Sequence, residues 1–223
     1  MGYQWRFDVV WKYLPFILGG LGITFAVSGI GLLIGIVVGL VVAMLRMQRK
    51  KWLEIPIMIY QDFFRTTPPL VQLVWVYYCI PVLGGIELSA FWAGTLTLGA
   101  NTGAFLGEVF RAGLLSIPPG QKEAAKVLGL TYAQTMRRIV LPQAMVRMLP
   151  PLGSEVISTI KFSSLVSVIA VTDLLQRAQY MAAVTYRPLE FLTVVAIIYF
   201  VITYPFSPLV LWLQRRAGVG DHV

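Results

Sequence analysis

The sequence feature that most constrains the fold is residues 14–45, an apolar segment without a single charged residue. A helix of roughly 20 apolar residues crosses the hydrocarbon core of a bilayer, so this segment can span a membrane and continue for a few turns. It is too long for the apolar region of a secretory signal peptide, and it lacks a small-residue cleavage site. We therefore expect a membrane helix that stays in the mature protein.

Four further apolar segments follow at residues 66–86, 88–110, 148–171 and 191–214, and the less apolar residues 54–65 precede the first of these. The chain is 57% hydrophobic and only 13% charged, whereas soluble domains carry about 25% charged residues. The predicted fold is therefore an all-α membrane protein with five transmembrane helices, which form a single transmembrane domain over residues 1–223.

The distribution of basic residues predicts which side of the membrane each loop occupies. Eleven of them follow the first predicted span, lie between the third and fourth, or follow the fifth. These are Arg46, Arg49, Lys50, Lys51, Lys122, Lys126, Arg137, Arg138, Arg147, Arg215 and Arg216. Only four lie in the remaining loops, and cytoplasmic loops are enriched in Lys and Arg. We therefore expect the N-terminus outside and the C-terminus in the cytoplasm.

Trp5, Phe7 and Trp11 favour a short interfacial helix ahead of the first span.

Small residues recur at four-residue spacing in two of the predicted spans. Gly31, Gly35 and Gly39 lie on one face of the first span, and Gly99, Gly103 and Gly107 on one face of the third. Glycine lets helix backbones approach closely, which is how membrane helices gain packing energy. The spacing leaves open whether these faces pack inside the chain, form a subunit interface or line a passage.

Several function classes are excluded by what the sequence lacks. The net charge of +8 does not indicate nucleic-acid binding, because the basic residues lie in short clusters between apolar segments. Cys79 and His222 are the only residues of their types, so an intrachain disulfide and a Cys/His metal cluster are excluded, and we expect no Ser-His or Cys-His nucleophile. The ATP-binding pattern GxxxxGK[ST] is absent as well. We predict no catalytic residue, metal site or cofactor on this chain.

Ionisable residues in the predicted spans are candidates for function, because charges are costly at membrane depth. Glu108 and Arg111 stand three residues apart in the third span, so they share a helix face. This spacing suits an ion pair, and it also suits contact with a substrate or a gate. Asn101 and Thr102, in the middle of the same span, suit either a passage for a solute or hydrogen bonds between helices.

The fourth span is unusually polar for a membrane helix. Glu155 and Lys161 stand there among five hydroxyl side chains, which are Ser154, Ser158, Thr159, Ser163 and Ser164. Two charges and five hydroxyls do not suit a surface that faces lipid. We expect this span to face a cavity or a neighbouring helix.

Residues 116–147 connect the third and fourth spans, and their pattern predicts a helix-turn-helix. Two prolines at 118–119 end the preceding helix, good helix formers follow, and Gly129 is placed to close the helix in the left-handed conformation. Thr131 and Gln134 fit a capping box that opens a second short helix, which we expect Pro142 to end. Locally, the first helix suits either docking into a groove of another protein or a simple amphipathic connection.

This loop resembles the EAA loop of bacterial ATP-binding cassette (ABC) importer permeases. The matching residues are Glu123, Ala124, Ala125, Gly129, Leu141 and Pro142. Further segments resemble the polar amino-acid subfamily, which comprises histidine-, glutamine-, glutamate- and arginine-type permeases. These are FRTTPPLVQL at 64–73, EVFRAG at 108–113, GQ at 120–121, LPQA at 141–144, LPPL at 149–152, SLVSVI at 164–169 and LLQRAQ at 174–179. The resemblance covers nearly the whole chain in order.

The resemblance implies a five-helix permease of the type I importer fold, also called MetI-like, in the bacterial inner membrane. It implies a second permease subunit, identical or paralogous, an external solute-binding protein, and two cytoplasmic ATPase subunits that carry ATP and Mg²⁺. Glu123 is implied to contact the ATPase, Ala124 and Ala125 to permit close docking, and Gly129 to set the turn. ATP hydrolysis is thereby expected on a separate subunit, whose cycle rocks the permease between two conformations.

The resemblance also implies that Glu155 and Lys161 line the passage for an amino acid. Phe162 stands where relatives usually have Asp, so this chain lacks a carboxylate at that position. Loss of that carboxylate favours a neutral or acidic amino acid over a cationic one such as arginine. The alternative function is a stand-alone secondary transporter or channel for small polar solutes, which does not explain the paired-helix loop.

Overall fold

The structure is a computed structural model that describes residues 3–48 and 50–216, and these residues form helices and no strand. Arg49 and His222, which were used above, lie outside the described residues. The α-helices are α1 (Phe7–Leu18), α2 (Leu21–Met47), α3 (Lys51–Thr66), α4 (Pro69–Gly84), α5 (Ala90–Leu115), α6 (Pro119–Val127), α7 (Tyr132–Thr135), α8 (Leu141–Phe162), α9 (Leu174–Thr185), α10 (Pro188–Thr203) and α11 (Phe206–Arg216). A π-helical turn, Met136–Val140, joins α7 to α8, and a 3₁₀ segment, Ser163–Ile169, follows α8.

Three helical stretches of the described chain are long and apolar enough to cross a bilayer, namely Leu21–Met47, Tyr132–Ile169 and Pro188–Leu213. The chain bends by 109° between helices α3 and α4. If this bent pair counts as one span, the described chain has four candidate spans. Helix α5 is not among them, although it is 26 residues long, because small and polar residues lower its hydropathy. It is instead the most enclosed of the long helices, with fourteen buried residues.

The first apolar segment is not one helix, which corrects the expectation for residues 14–45. Helix α1 ends at Leu18 and α2 begins at Leu21. A Cβ on Gly20 would lie 2.7 Å from the backbone of Asp173, so glycine is required where the chain before α9 crosses this corner. A separate helix ahead of the first span is present as α1. It is longer than expected, because it includes residues 14–18 of the predicted span.

The centre of the bundle is the packing of α2 against α5. A Cβ on Gly35 would lie 2.5 Å from Cγ2 of Thr102, and a Cβ on Gly107 would lie 2.5 Å from Cγ1 of Val42. The glycine faces predicted from four-residue spacing therefore pack against each other inside the chain. Close backbone approach of this kind replaces the hydrophobic driving force that membrane helices lack.

The bend between α3 and α4 follows from two consecutive prolines. Pro68 and Pro69 have no N–H to donate to the carbonyls of Phe64 and Arg65, four residues earlier. A proline also disfavours helical geometry in the residue before it, and Thr67 is extended, with φ −91° and ψ 143°. Helix α3 therefore ends at Thr66, and α4 begins in a new direction at Pro69.

Asp173 caps the N-terminus of α9 from a fully buried position. Its Oδ1 accepts a hydrogen bond from the backbone N–H of Gln176 at 2.8 Å, and the Tyr199 hydroxyl lies 3.4 Å from its Oδ2. Burial raises the pKa of the Asp173 carboxyl to about 6, although the hydrogen bond from the Gln176 N–H opposes this shift. The folded protein thus holds a proton on Asp173 more tightly than the unfolded chain does.

We expect Asp173 to lower the stability of the fold as the pH rises from about 4 to about 6. In this range the folded state binds more protons than the unfolded state, whose Asp titrates near pKa 3.9, so stability falls with pH. Asp173→Asn keeps the cap, since Asn caps as well as Asp, and removes the titration. Melting temperatures in detergent should show the variant gaining on the wild type between pH 4.5 and 7. A difference that stays constant with pH would contradict this assignment.

Candidate functional site

The loop between α5 and α8 contains the helix-turn-helix predicted from sequence. Gly129 adopts φ +75°, and the N–H of Leu130 donates to the Ala125 carbonyl at 3.0 Å, which confirms the left-handed closure of α6. The capping box is also confirmed. The N–H of Gln134 donates to Thr131 Oγ1 at 3.3 Å, and the N–H of Thr131 donates to Gln134 Oε1 at 2.9 Å.

The expectation that Pro142 ends the second helix is wrong. The chain remains helical from Tyr132 to Ile169, through the π turn and α8. Pro142 has no N–H, so the helix loses one backbone hydrogen bond there. In the π turn before it, the backbone hydrogen bonds join residues five apart instead of four. The Nε2 of Gln143 also donates to the Ile139 carbonyl at 2.9 Å, which supplies a donor from a side chain.

The exposed surface of this loop differs from the expected one. Ala125 is only 1% exposed in this chain and packs against it, whereas Glu123 and Ala124 are exposed. The most exposed apolar side chains of the loop are Val127 (87%), Leu128 (78%) and Tyr132 (76%). We call these three residues the apolar tip. The sequence pattern did not predict the exposure of Val127 and Tyr132, because it depends on the turn at Gly129.

Beneath the apolar tip, the loop is firmly joined to the bundle. The side-chain amides of Gln121 in α6 and Gln143 in α8 donate to each other, at 3.2 and 2.8 Å. Arg147 Nη1 donates to the Ser116 carbonyl at 2.5 Å. Ile117 lies in one apolar core with residues of α5 and α8. These contacts join the loop beneath the tip to α5 and α8.

A second candidate region lies where α5 meets the bend between α3 and α4. Asn101 is 1% exposed, and its Nδ2 donates to the Phe64 carbonyl at 2.9 Å and to Gln72 Oε1 at 3.1 Å. Gln72 is 4% exposed, and its Nε2 contacts the Thr67 carbonyl at 3.0 Å. Asn101 thus braces the bend. Gln72 was not singled out from sequence, although it is a polar residue in an apolar helix.

The polar residues of the fourth predicted span are only partly brought together. Thr102 and Thr159 hydroxyls lie 3.1 Å apart between α5 and α8. Glu155 is one turn from Thr159, and its Oε1 is buried without a partner among the described residues. Phe162 and Asn101 line the same small gap between α4 and α5. Lys161 is exposed on the surface of this chain and does not join them.

The predicted pair Glu108 and Arg111 is confirmed, and it is part of a larger network. Arg111 Nε donates to Glu108 Oε2 at 3.1 Å, and Arg111 Nη2 also contacts Oε1 of Glu108. Arg46 of α2 donates to Glu108 and to Gln61 of α3, both at 2.9 Å. Glu108 therefore ties α2 to α5, and Arg46 and Gln61 are members that sequence spacing alone did not reveal.

An open pocket of about 380 Å³ lies between α3, α5 and α8, on the side of Glu108. Arg65 and Arg147 line it together with Phe105 and Pro151, and the Arg65 guanidinium stands 5.7 Å from the centre of the Phe105 ring. The described residues thus combine an all-helical bundle, a polar interior and a projecting apolar tip. This combination is typical of a membrane transport component.

Comparison with known proteins identifies the family. Residues 31–219 match the profile of the binding-protein-dependent transport system inner membrane component. The chain belongs to this family, and it is an inner-membrane permease component of an amino-acid ABC importer. It is 36% identical over 218 residues to the arginine transport system permease protein ArtQ of Bacillus subtilis, covering 96% of this chain and 98% of that protein. It is 34% identical to the glutamine transport system permease protein GlnP of Escherichia coli, covering 97% and 99%.

Solved structures agree with this assignment. A chain of the crystal structure of an amino acid ABC transporter with histidines is 38% identical, with a TM-score of 0.89, and the match covers 96% of this chain and 100% of that one. The inward-facing MetNI methionine ABC transporter matches at 21% identity with a TM-score of 0.76, covering 92% and 98%, and supports the fold alone. The MetI-like type I importer permease fold expected from sequence is confirmed.

Proposed function

We propose that this chain forms half of the translocation passage of an importer for a polar amino acid, driven by a separate ATPase. The observation that carries this proposal is the apolar tip on a rigid loop, joined to the two helices that hold the polar interior. The ATPase subunits would dock at the tip. A second permease subunit, identical or paralogous, would complete the passage, and an external solute-binding protein would deliver the amino acid.

We propose five transmembrane spans, with the N-terminus outside and the C-terminus in the cytoplasm. Four spans correspond to α2, the bent pair α3–α4, the long helix through α8, and α10–α11. The fifth would be α5, which tolerates a polar composition because the other helices enclose it. The basic residues Arg137, Arg138 and Arg147 flank the apolar tip and favour a cytoplasmic position for it.

Reconstitution tests this function against a stand-alone transporter. The permease is purified with its co-purifying subunits, placed in liposomes with the binding protein, and assayed for uptake of radiolabelled L-glutamine, L-glutamate, L-arginine and L-histidine. We expect uptake of at least one of these only when ATP and the ATPase are present. Uptake by this chain alone, without ATP, would instead support a secondary transporter or channel.

Phe162 is proposed to disfavour cationic amino acids. Its ring lines the gap beside Asn101, where a carboxylate would be positioned to attract a positive side chain. We therefore expect Phe162→Asp to raise uptake of L-arginine relative to L-glutamine by about tenfold, which corresponds to about 1.4 kcal/mol of added attraction. Competition between the two amino acids in liposomes measures this ratio.

Phe162→Asn is the matched control, because it has the same size as Asp and no charge. It should leave the ratio of L-arginine to L-glutamine uptake within about twofold of the wild-type value, a spread of about 0.4 kcal/mol. Wild-type uptake that strongly prefers L-arginine would show that the missing carboxylate does not determine selectivity.

A further inference from the structure

The open pocket of about 380 Å³ continues the polar interior towards the loop that carries the apolar tip. On α5 it is lined by Phe105, Glu108 and Ala112. These residues follow Asn101 at intervals of three and four, so they lie on the same helix face, about one to three turns further along. Pockets that hold small molecules have volumes of about 300–1,000 Å³, so this one is large enough for a small solute.

The wall that α8 contributes shows the same continuity. Arg147 and Pro151 line the pocket. Glu155 and Thr159 follow at the same four-residue spacing, so the four residues succeed one another along one side of the helix. The Thr159 hydroxyl in turn lies 3.1 Å from that of Thr102 in α5. A solute that passes between α5 and α8 at these hydroxyls therefore reaches the pocket next, on the side of the loop.

Two guanidinium groups at the pocket form no ion pair with any described residue. Arg65 is exposed near the end of α3, and its guanidinium lies 5.7 Å from the centre of the Phe105 ring. A cation–π contact of this kind needs no hydrogen-bond acceptor. Arg147 donates to the Ser116 carbonyl through Nη1. Because a guanidinium carries five N–H donors, both side chains keep donors for a ligand.

The acidic residues near the pocket do not cancel its positive charge. Glu108 lines the pocket, but Arg46 and Arg111 already bind its two carboxylate oxygens. Glu54 of α3 lies within electrostatic range of Arg111. Four guanidiniums and two carboxylates thus leave a net charge of +2 around the pocket. A concave surface with such a surplus attracts an anion.

We propose that Arg65 and Arg147 bind the α-carboxylate of the transported amino acid before it leaves the permease. Guanidinium groups present their N–H donors in a planar fork that matches the two oxygens of a carboxylate. Phe105, Val109 and Pro151 provide apolar walls for the rest of the solute. The inference rests on the proposed function, because it takes the solute to be an amino acid and the loop to face the cytoplasm.

The test is titration calorimetry on the purified permease–ATPase complex without the binding protein. The probes are L-glutamine, L-glutamate, L-arginine and L-histidine, each paired with its α-carboxamide, in which the charge of the α-carboxylate is lost. Wild type should bind at least one free amino acid about tenfold or more tightly than its carboxamide. Arg65→Gln and Arg147→Gln should each weaken that amino acid about tenfold and change the carboxamide by less than about twofold.

The controls separate a carboxylate site from a general effect of positive charge. Lys51→Gln removes a charge from the same helix as Arg65, but Lys51 does not line the pocket, so this variant should bind as wild type does. Arg65→Lys keeps the charge and loses the fork, so its affinity for the free amino acid should lie between those of wild type and Arg65→Gln. If Arg147→Gln does not assemble, the Arg65 variants decide the question.

Equal loss of both probes in Arg65→Gln, or unchanged binding of the free amino acid, would overturn the inference. Phosphatidylglycerol that co-purifies with wild type and is lost in Arg65→Gln, while amino-acid binding stays unchanged, would show that the pocket holds a lipid phosphate instead. A wild-type complex that binds no free amino acid would overturn the inference too. In each of these cases, ATP-dependent uptake by wild type in liposomes would still support the proposed function.

Discussion

Leu128→Asp is expected to uncouple the permease from its ATPase. Leu128 is 78% exposed in the centre of the apolar tip, so a charge there leaves the internal packing of the chain intact. In the complex, however, it would be buried without a partner charge, and interface hot spots of this kind contribute about 2 kcal/mol or more. We expect the ATPase to bind about 30-fold more weakly or worse. Co-purification and solute-stimulated ATPase activity in liposomes measure the effect.

Val184→Asp is the matched control for this substitution. Val184 in α9 is also an exposed aliphatic residue, at 54%, but it is remote from the loop in sequence. We expect this variant to co-purify with the ATPase as wild type does. Equal ATPase binding by Leu128→Asp and wild type would show that the apolar tip is not the docking surface.

Gly35→Leu is expected to disrupt the central packing of the bundle. A Cβ at this position would lie 2.5 Å from Thr102, and a leucine would extend further into α5. Overpacking costs typically about 1–3 kcal/mol, and α5 cannot move away because other helices enclose it. We expect a melting temperature clearly below that of wild type in detergent, together with loss of transport.

Gly29→Leu tests whether this effect comes from close packing or from any loss of glycine in α2. No atom of the described chain outside the glycine's own helical backbone and neighbours lies within 4 Å of a Cβ built on Gly29. This variant should therefore fold and melt like wild type or slightly higher, because leucine is the better helix former. A stable Gly35→Leu protein would contradict the packing between α2 and α5.

The contacts between the apolar tip and the bend between α3 and α4 suggest how a partner's movement could reach the solute. The apolar tip is fixed to α8 through Gln121 and Gln143, and α8 meets α5 where Thr102 faces Thr159. Asn101, the neighbour of Thr102, contacts the bend between α3 and α4. The proposed docking surface and the bend between α3 and α4 are therefore connected by helices and direct hydrogen bonds, which suits rigid-body alternating access.

The sequence by itself determined features that depend on local chemistry. Apolar segments predicted an all-helical membrane fold, four-residue glycine spacing predicted helix faces that pack closely, and Gly129 with the Thr131–Gln134 capping box predicted the turn in the loop. The spacing of Glu108 and Arg111 predicted their ion pair. Each of these depends on residues of one continuous segment, where helical geometry fixes the distance between neighbours.

Only the tertiary structure decided which atoms meet across the bundle. Ala125 and Leu128 are both apolar residues of one short loop, yet one is buried and the other is exposed, because burial depends on how α6 packs on its neighbours. Pro142 continues a helix that its sequence pattern predicted to end, because a π turn absorbs the missing bond. Likewise, the oxygens around Gln72 come from residues 64–67, while Asn101 comes from a different helix. Contacts between distant residues are set by packing, which spacing along the chain does not encode.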